Sequence, residues 1–230
     1  MSVLKIYFSG QWRDSSSPCE WAMCDEQGAM LQTGTSPLAG MPKGHECIAI
    51  VAADRVLNIA VTLPPGGRRR MQAVLPFVAE EFTLTDPEEN HVVPGQSLAD
   101  GRRMLAIVDK AWLKRIVDAA HHARLSLRRM VAETLLPATS EGSWSLVWDG
   151  SSGFVRTGPA SAMALDSGDA TVMPLALRLS LETAPLLPQK IEVRFRHDVA
   201  GGQRVVPQWA DLLVPVVAGA DWDWRRVDIP

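Results

Sequence analysis

Apolar and polar positions alternate from Val3 to Phe8, the two-residue period of a half-buried strand, and the segment runs into the turn-rich stretch Gly10 to Pro18. Trp21 to Cys24 and Met30 to Gln32 predict two more short strands around the turn Glu26-Gln27-Gly28. Pro37 to Gly44 predicts a loop or at most one helical turn, and the unbroken apolar run Cys47 to Val51 a strand buried on both faces. Val56 to Leu63 reads as a strand that Pro64-Pro65-Gly66-Gly67 terminates. A helix follows through Phe82, with Met71, Val74, Leu75, Val78 and Phe82 at helical spacing. His91 to Val93 and Met104 to Val108 are strands separated by Pro94-Gly95 and a polar loop. Asp109 is placed to cap a second helix, whose Trp112, Leu113, Ile116, Val117 and Ala120 share a stripe, and Leu125 to Val131 returns as a strand.

The last third begins with strands again. Ser143 to Trp148 and Gly153 to Thr157 flank Asp149-Gly150, a strong hairpin signal, and Ser161 to Leu165 adds a third strand. Thr171 to Glu182 reads as a helix carrying Val172, Leu175 and Leu179, with Leu186 nearby, and Ile191 to Phe195 as a strand. After Gly201-Gly202 a short helix is expected at Gln208 to Leu213, before a polar, Trp-rich end. Between residues 53 and 138 the order strand, helix, strand, strand, helix, strand is the ferredoxin-like arrangement. Both outer thirds open with three antiparallel strands, a connection and one more strand. The expected fold is therefore α/β with mixed sheets, in the two-lobed layout of an actin-like ATPase or ribonuclease H-like protein. Its first half spans 1–52, the inserted ferredoxin-like module 53–138, the second half 139–213 and a tail 214–230.

At 230 residues, with 47% apolar and 21% charged positions, the chain suits one large domain or two small lobes rather than a disordered segment. A net charge of −3 argues against nucleic acid as a partner. The basic groups Arg68, Arg69, Arg70 and Arg124, Arg128, Arg129 are balanced by acids nearby, as on a solvated surface. Cys19, Cys24 and Cys47 form no C-x-x-C pair and are odd in number, which fits a reducing compartment better than a disulfide scaffold. Met1 to Gly10 has one lysine and no long apolar core, unlike a signal peptide. No segment approaches the ~18–20 apolar residues of a membrane span; Leu212 to Gly219 is short and contains Pro215.

Candidate chemistry is sparse. An actin-like ATPase wraps phosphates with two strand turns, supplying backbone donors for oxygens and acids for the metal. Here the first turn, Ser9 to Ser17, places bulky Trp12 where close approach would be wanted, and no acid precedes it. In the second, Asp149, Gly150, Ser151 and Ser152 form a degenerate candidate for an anion nest. An Asp-Gly hairpin, however, needs only the positive φ that glycine supplies. No G-x-x-x-x-G-K-[ST] or G-x-S-x-G occurs, and His45, His91, His121, His122 and His197 lack metal-ligand spacing. His121 and His122 instead suit the negative end of a helix. No catalytic residue, metal or cofactor is expected. The helix opening with Arg68, Arg69 and Arg70 and closing on Glu80 and Glu81 opposes its own macrodipole, at ~0.3–1 kcal/mol per misplaced charge. Pro76 removes a donor within it. These charges, with the acidic loop containing Asp86, Glu88 and Glu89, are candidates for partner binding, or for pairing with charges elsewhere in the fold.

The run Leu63-Pro-Pro-Gly-Gly-Arg-Arg-Arg-Met-Gln-Ala-Val-Leu-Pro-Phe-Val-Ala-Glu-Glu-Phe82 resembles the cytoplasmic domain of type II secretion system protein L (GspL). Asp86 to His91, Ala106 to Trp112 and Pro137 are also similar to that family's pattern. The resemblance is strongest from Val56 to Pro137 and fades after Gly201. It implies an actin-like fold without ATPase activity, on the cytoplasmic face of the bacterial inner membrane. The implied partners are the N-terminal region of the secretion ATPase (protein E), protein M and a second copy of L. It also implies a membrane segment after residue 230, with Trp222, Trp224, Arg225 and Arg226 as its flank. The alternatives are a nucleotide-binding actin-like ATPase and an actin-like pilus assembly protein.

Overall fold

The computed structural model describes residues 2–64, 68–196, 206–209 and 212–229, with only the backbone of Arg68 and Arg69. The chain divides into two units, Met1–Glu133 with Arg225–Pro230, and Thr134–Trp224.

In chain order, the first unit contains β1 (Val3–Phe8), β2 (Cys19–Cys24), β3 (Met30–Ser36), β4 (Glu46–Val51), β5 (Leu57–Val61), α1 (Arg68–Glu80), β6 (Asn90–Ser97), β7 (Arg103–Asp109), α2 (Lys110–His122) and β8 (Leu127–Ala132). Five of these strands form a sheet in the order β3-β2-β1-β4-β8. β1 is antiparallel to β2 and parallel to β4, and β4 is parallel to β8. Period-two alternation sends Leu4, Ile6 and Phe8 to one face, where they pack with Trp112, Ile116 and Ala120 of α2. Helix α2 starts where expected, because the Asp109 carboxylate accepts the Trp112 amide at 2.7 Å. Its far face carries the Lys114–Asp118 pair at 2.6 Å and Val117, which is exposed rather than part of the stripe. The helix stops at Arg124, whose φ of 55° leaves the helical region.

The strand pairing departs from the ferredoxin-like arrangement expected for 53–138. β8 pairs in parallel with β4, Ile48 against Arg129 and Ile50 against Val131, instead of joining β5. α2 likewise buries its stripe in the core of the five-stranded sheet. Between β4 and α2 stand only β5, β7 and β6, in that order and antiparallel, covered by α1 through Leu75, Val61 and Leu105 with Met71, Val78 and Val92 around them. The same element order can serve one sheet or two, and the bulk of Trp112 and Ile116 against Leu4, Ile6 and Phe8 decides for two. β6 also continues through Pro94-Gly95, with a register shift between Pro94 and Ser97. Phe77 and Phe82 point away from this small core, so Phe82 does not belong to the buried face of α1.

The second unit contains β9 (Ser143–Trp148), β10 (Gly153–Arg156), β11 (Ala162–Leu165), α3 (Leu175–Thr183), β12 (Lys190–Phe195) and β13 (Val216–Ala218). Here β10 is antiparallel to both β9 and β11, while β9, β12 and β13 run parallel, so the order is β13-β12-β9-β10-β11. This is the connectivity of the first unit's main sheet repeated. Trp144, Leu146, Trp148, Leu177, Ile191, Val193 and Trp209 form its core. Arg156 ties the connection into the unit by donating to the carbonyls of Leu135, Pro137 and Gly158. α3 begins later than the pattern predicts, since Asp169 binds the Thr171 and Val172 amides in a turn of its own at 2.6 and 2.7 Å.

The C-terminal stretch is not a free polar tail. Val216–Ala218 is a strand, Trp222 is buried edge-on to Phe154 at 6.4 Å, and Trp224 is buried too. Residues 225–229 return to the first unit. There the buried Lys5 ammonium donates to the carbonyls of Arg225 (3.0 Å) and Val227 (2.7 Å), and Arg129 donates to that of Ile229 (3.3 Å). The helix expected at Gln208 to Leu213 does not form at Gln208, Trp209, Leu212 or Leu213; Ala210 and Asp211, like Pro65 to Gly67, His197 and Gly201-Gly202, lie outside the described residues.

Trp112→Ala should lower the stability of the first unit by about 3–5 kcal/mol in urea denaturation, whereas Val117→Ala should leave it within about 0.5 kcal/mol. Lys5→Met should keep the fold but release residues 225–229, read as faster tryptic cleavage after Arg225 or Arg226. An unchanged cleavage rate would show that other contacts hold the segment.

Candidate functional site

The two turns that an actin-like protein would use for phosphates are the connections β1–β2, residues 9–18, and β9–β10, residues 149–152. In the first, the Asp14 carboxylate accepts the amides of Ser16 (2.9 Å) and Ser17 (3.2 Å) and the Ser16 hydroxyl (2.6 Å). Those bonds, the Ser16 hydroxyl first, hold its carboxyl below the usual value. Trp12 stands edge-on to Phe8 at 5.2 Å and to Trp112 at 6.4 Å, and its carbonyl accepts the Trp112 indole N–H at 3.2 Å. Arg55 donates from Nε to the Gly10 carbonyl at 2.9 Å. Gly10 itself lies so close to Asp54 that a Cβ would fall 1.8 Å from its carboxylate. Trp12 therefore does more than bar an approach: it anchors the turn to the core.

The second turn forms the nest that the sequence suggests and fills it from within. Gly150 has φ 102°, as an Asp-Gly hairpin requires. The Asp149 carboxylate accepts the amides of Ser151 (2.8 Å) and Ser152 (2.6 Å) and their hydroxyls at 3.2 and 2.7 Å. Burial pushes this carboxyl up, but the bonds from Ser152 and Ser151 outweigh it and leave it below its ordinary value. The first amides of α3, Leu175 and Ala176, are held by Asp166 at 2.9 and 2.8 Å. At all three places a protein carboxylate occupies donors that a phosphate would need, and its charge repels one. Sequence reasoning missed Asp166 because its amide partners lie nine and ten residues away. Among the described residues, no three His, Cys, Asp or Glu side chains are grouped to hold a metal ion.

The acidic partner-binding candidates gather at the end of α1 and the loop after it, away from the arginines at its start. Glu80 ends α1, Glu81 follows it, and a single 3-10 turn at Pro87–Glu89 carries Glu88 and Glu89 just after Asp86. All five acids are exposed, and among the described residues none is in an ion pair. Arg70, at the other end of α1, is exposed; the side chains of Arg68 and Arg69 lie outside the described residues. Asn90 fixes the loop between the acids, donating to Thr83 Oγ1 (3.2 Å), Thr85 Oγ1 (3.0 Å) and the Asp86 carbonyl (3.3 Å). Phe82 and the fully exposed Leu84 lie in this stretch, and Phe77 of α1 is 66% exposed. These exposed apolar side chains, close in sequence to the acids, were not foreseen. The signal was Phe77 and Leu84 falling off the helical stripe of Met71, Val74, Leu75 and Val78.

Two units, each with an antiparallel hairpin pair on one side of its first strand and parallel strands on the other, define an α/β protein of the actin-like, ribonuclease H-like class. Residues 13–191 match the family described as type II secretion system (T2SS), protein L, and the chain belongs to that family. Curated proteins L align with it from Vibrio cholerae (25% identical over 52% of this chain and 29% of the relative) and Pectobacterium carotovorum (25% over 68% and 36%). That from Pseudomonas aeruginosa is 38% identical over 26% of this chain and 16% of its own. The aligned stretches thus cover well under two thirds of those relatives. Among solved structures, the cytoplasmic domain of EpsL, an inner membrane component of the type II secretion system of Vibrio cholerae, superposes with a TM-score of 0.73. It is 16% identical, over 98% of this chain and 92% of that one. The PilM-PilN type IV pilus biogenesis complex follows at 0.55, with 14% identity over 84% and 81%. At these identities the structural likenesses establish the fold. No helix among the described residues is long and apolar enough to cross a membrane.

Asp149→Ala should lower the stability of the second unit by about 0.5–2 kcal/mol at pH 7, as loss of a capping carboxylate does. Because the folded-state pKa of Asp149 is depressed, its contribution is present above the unfolded value of about 3.9 and is lost as pH falls through the folded value. Wild type and Asp149→Asn should therefore differ in thermal stability by a constant amount above about pH 4 and converge as pH falls below it. Curves that stay parallel below that pH would remove the carboxylate from this role.

Proposed function

We propose that the chain is a non-catalytic platform of the type II secretion system, working at the cytoplasmic face of the inner membrane. The observation that carries this reading is the filling of the turn and helix amides by Asp14, Asp149 and Asp166. A hydrolase of this fold class needs those donors free for phosphate oxygens, whereas a platform needs only the surfaces around them. In this reading the domain recruits the secretion ATPase (protein E) through its N-terminal region, works beside protein M and self-associates. A membrane segment in the longer protein, following residue 230, anchors it. The family supplies these partners as expectations.

The ATPase contact is assigned to the end of α1 and the loop after it. Phe77, Phe82 and Leu84 offer desolvatable area there, and Glu80, Glu81, Asp86, Glu88 and Glu89 favour a basic partner surface. The misplaced charges of α1 are then read as selected for binding at some cost to the helix.

Titration with the N-terminal fragment of the ATPase should give saturable binding. Phe82→Ala should weaken it about tenfold, roughly 1.4 kcal/mol, and Glu81→Lys should slow association in a salt-dependent way. Saturable binding untouched by both substitutions would move the contact elsewhere; no binding at all would remove the recruiting role.

A further inference from the structure

β3 ends the five-stranded sheet, and among the described residues no strand lies along its outer edge. Free edges are usually guarded by charge, proline, bulges or short length. β6 follows that rule with Pro94 and its register shift, and β13 with a length of three residues. β8 follows it with Arg128 and Arg129, the latter bonded to Ile229. β3 has seven residues, Met-Leu-Gln-Thr-Gly-Thr-Ser, without a charge or a proline. Its one irregularity falls at its start, between Met30 and Gln32, and leaves Gln32 to Ser36 in unbroken register with β2. The strand is also held firmly. The Trp21 ring lies across Gly34, where a Cβ would come within 2.6 Å, and its indole N–H donates to Ser36 Oγ at 3.1 Å. An uncharged edge that is fixed in place, and regular from Gln32 to Ser36, is a template for another strand.

We infer that β3 pairs edge to edge with β3 of a second copy of this chain, an inference that rests on the self-association proposed above and gives it a surface. An antiparallel pairing about a two-fold axis at Thr33 sets Thr33 against the partner's Thr33. Leu31 then meets the partner's Thr35, and Gln32 the partner's Gly34. Two-fold symmetry places the residue on the axis opposite its own copy, so a charge there would be repelled; β3 offers a threonine, and Thr–Thr is a favourable cross-strand pair. Thr33 and Thr35 share a face, and Leu31, 62% exposed at the irregular start of the strand, adds apolar area that the partner covers. An uncharged strand of another protein would also fit hydrogen bonds to this edge, but this self-matching favours the identical strand. A contact of seven residues buries less than the roughly 1,200 Å² of a stable interface. The pairing is therefore weak in solution and gains from any tether that raises local concentration.

Sedimentation equilibrium over a wide concentration range tests this. Wild type should show a reversible monomer–dimer equilibrium. Thr33→Lys, which faces two ammonium groups across the axis, should raise the dissociation constant at least tenfold while the thermal midpoint stays put; Leu31→Lys is the second variant should Thr33→Lys fold poorly. Thr33→Cys should form a disulfide-linked dimer under mild oxidation, and the turn variant Gln27→Cys should not. The native thiols do not interfere: all three are buried, and burial pushes Cys19 (with help from the Glu20 charge) and Cys47 up to about 12. Wild type that stays monomeric at every concentration overturns the self-association together with its surface. A dimer that survives Thr33→Lys and Leu31→Lys overturns the β3 surface and leaves self-association standing.

Discussion

A parallel strand pair cannot be closed by a tight turn, because the chain must travel back the full length of the sheet before it can pair again. Each unit is arranged around that constraint. Its first strand, β1 or β9, takes an antiparallel partner through a local connection on one side and a parallel partner through a crossover on the other. The local connection, residues 9–18 in the first unit and 149–152 in the second, is organised in both by one aspartate. The crossover side has room for elaboration. In the first unit the segment from β4 to β8 holds α2 and, before it, β5, α1, β6 and β7; in the second, the segment from β11 to β12 holds α3.

The division of labour follows from the same geometry. Turns that would cradle phosphates are closed by Asp14 and Asp149, whose carboxylates bind the very amides an anion would seek. The framework is that of an actin-like fold, and its turn donors are satisfied internally. What distinguishes the chain is displayed on elements that the framework merely supports: the Asn90-fixed loop with Phe82 and Leu84, and the uncharged edge of β3. Strained or open turns would serve catalysis; satisfied turns serve rigidity, which suits a surface on which other proteins are held.

Most elements were legible from periodicity because their burial is one-sided or complete. The alternation in β1, the apolar run of β4, the Asp109 cap and the Asp149-Gly150 hairpin each carry a local signal. Pairing partners were less legible: nothing in Leu127–Ala132 states that it joins β4 rather than β5, since that choice depends on where Trp112 and Ile116 find their cover. The C-terminal segment was misread because Lys5 is satisfied by main-chain carbonyls, which every residue carries and no pattern advertises. At the candidate site, the Asp149 turn was visible as a place but its filling was not, since whether an Asp-Gly turn points its carboxylate inward or leaves its amides free is settled by two serine hydroxyls and their rotamers.

We propose that these turns, occupied by the protein's own carboxylates, leave the chain to hold partners without turning over nucleotide. Isothermal calorimetry of the chain with ATP and magnesium tests it most directly. The expected result is no saturable heat up to millimolar nucleotide, with Asp149→Asn behaving as wild type. Magnesium-dependent, saturable binding that is lost when Ser151 and Ser152 are replaced by bulkier residues would contradict it.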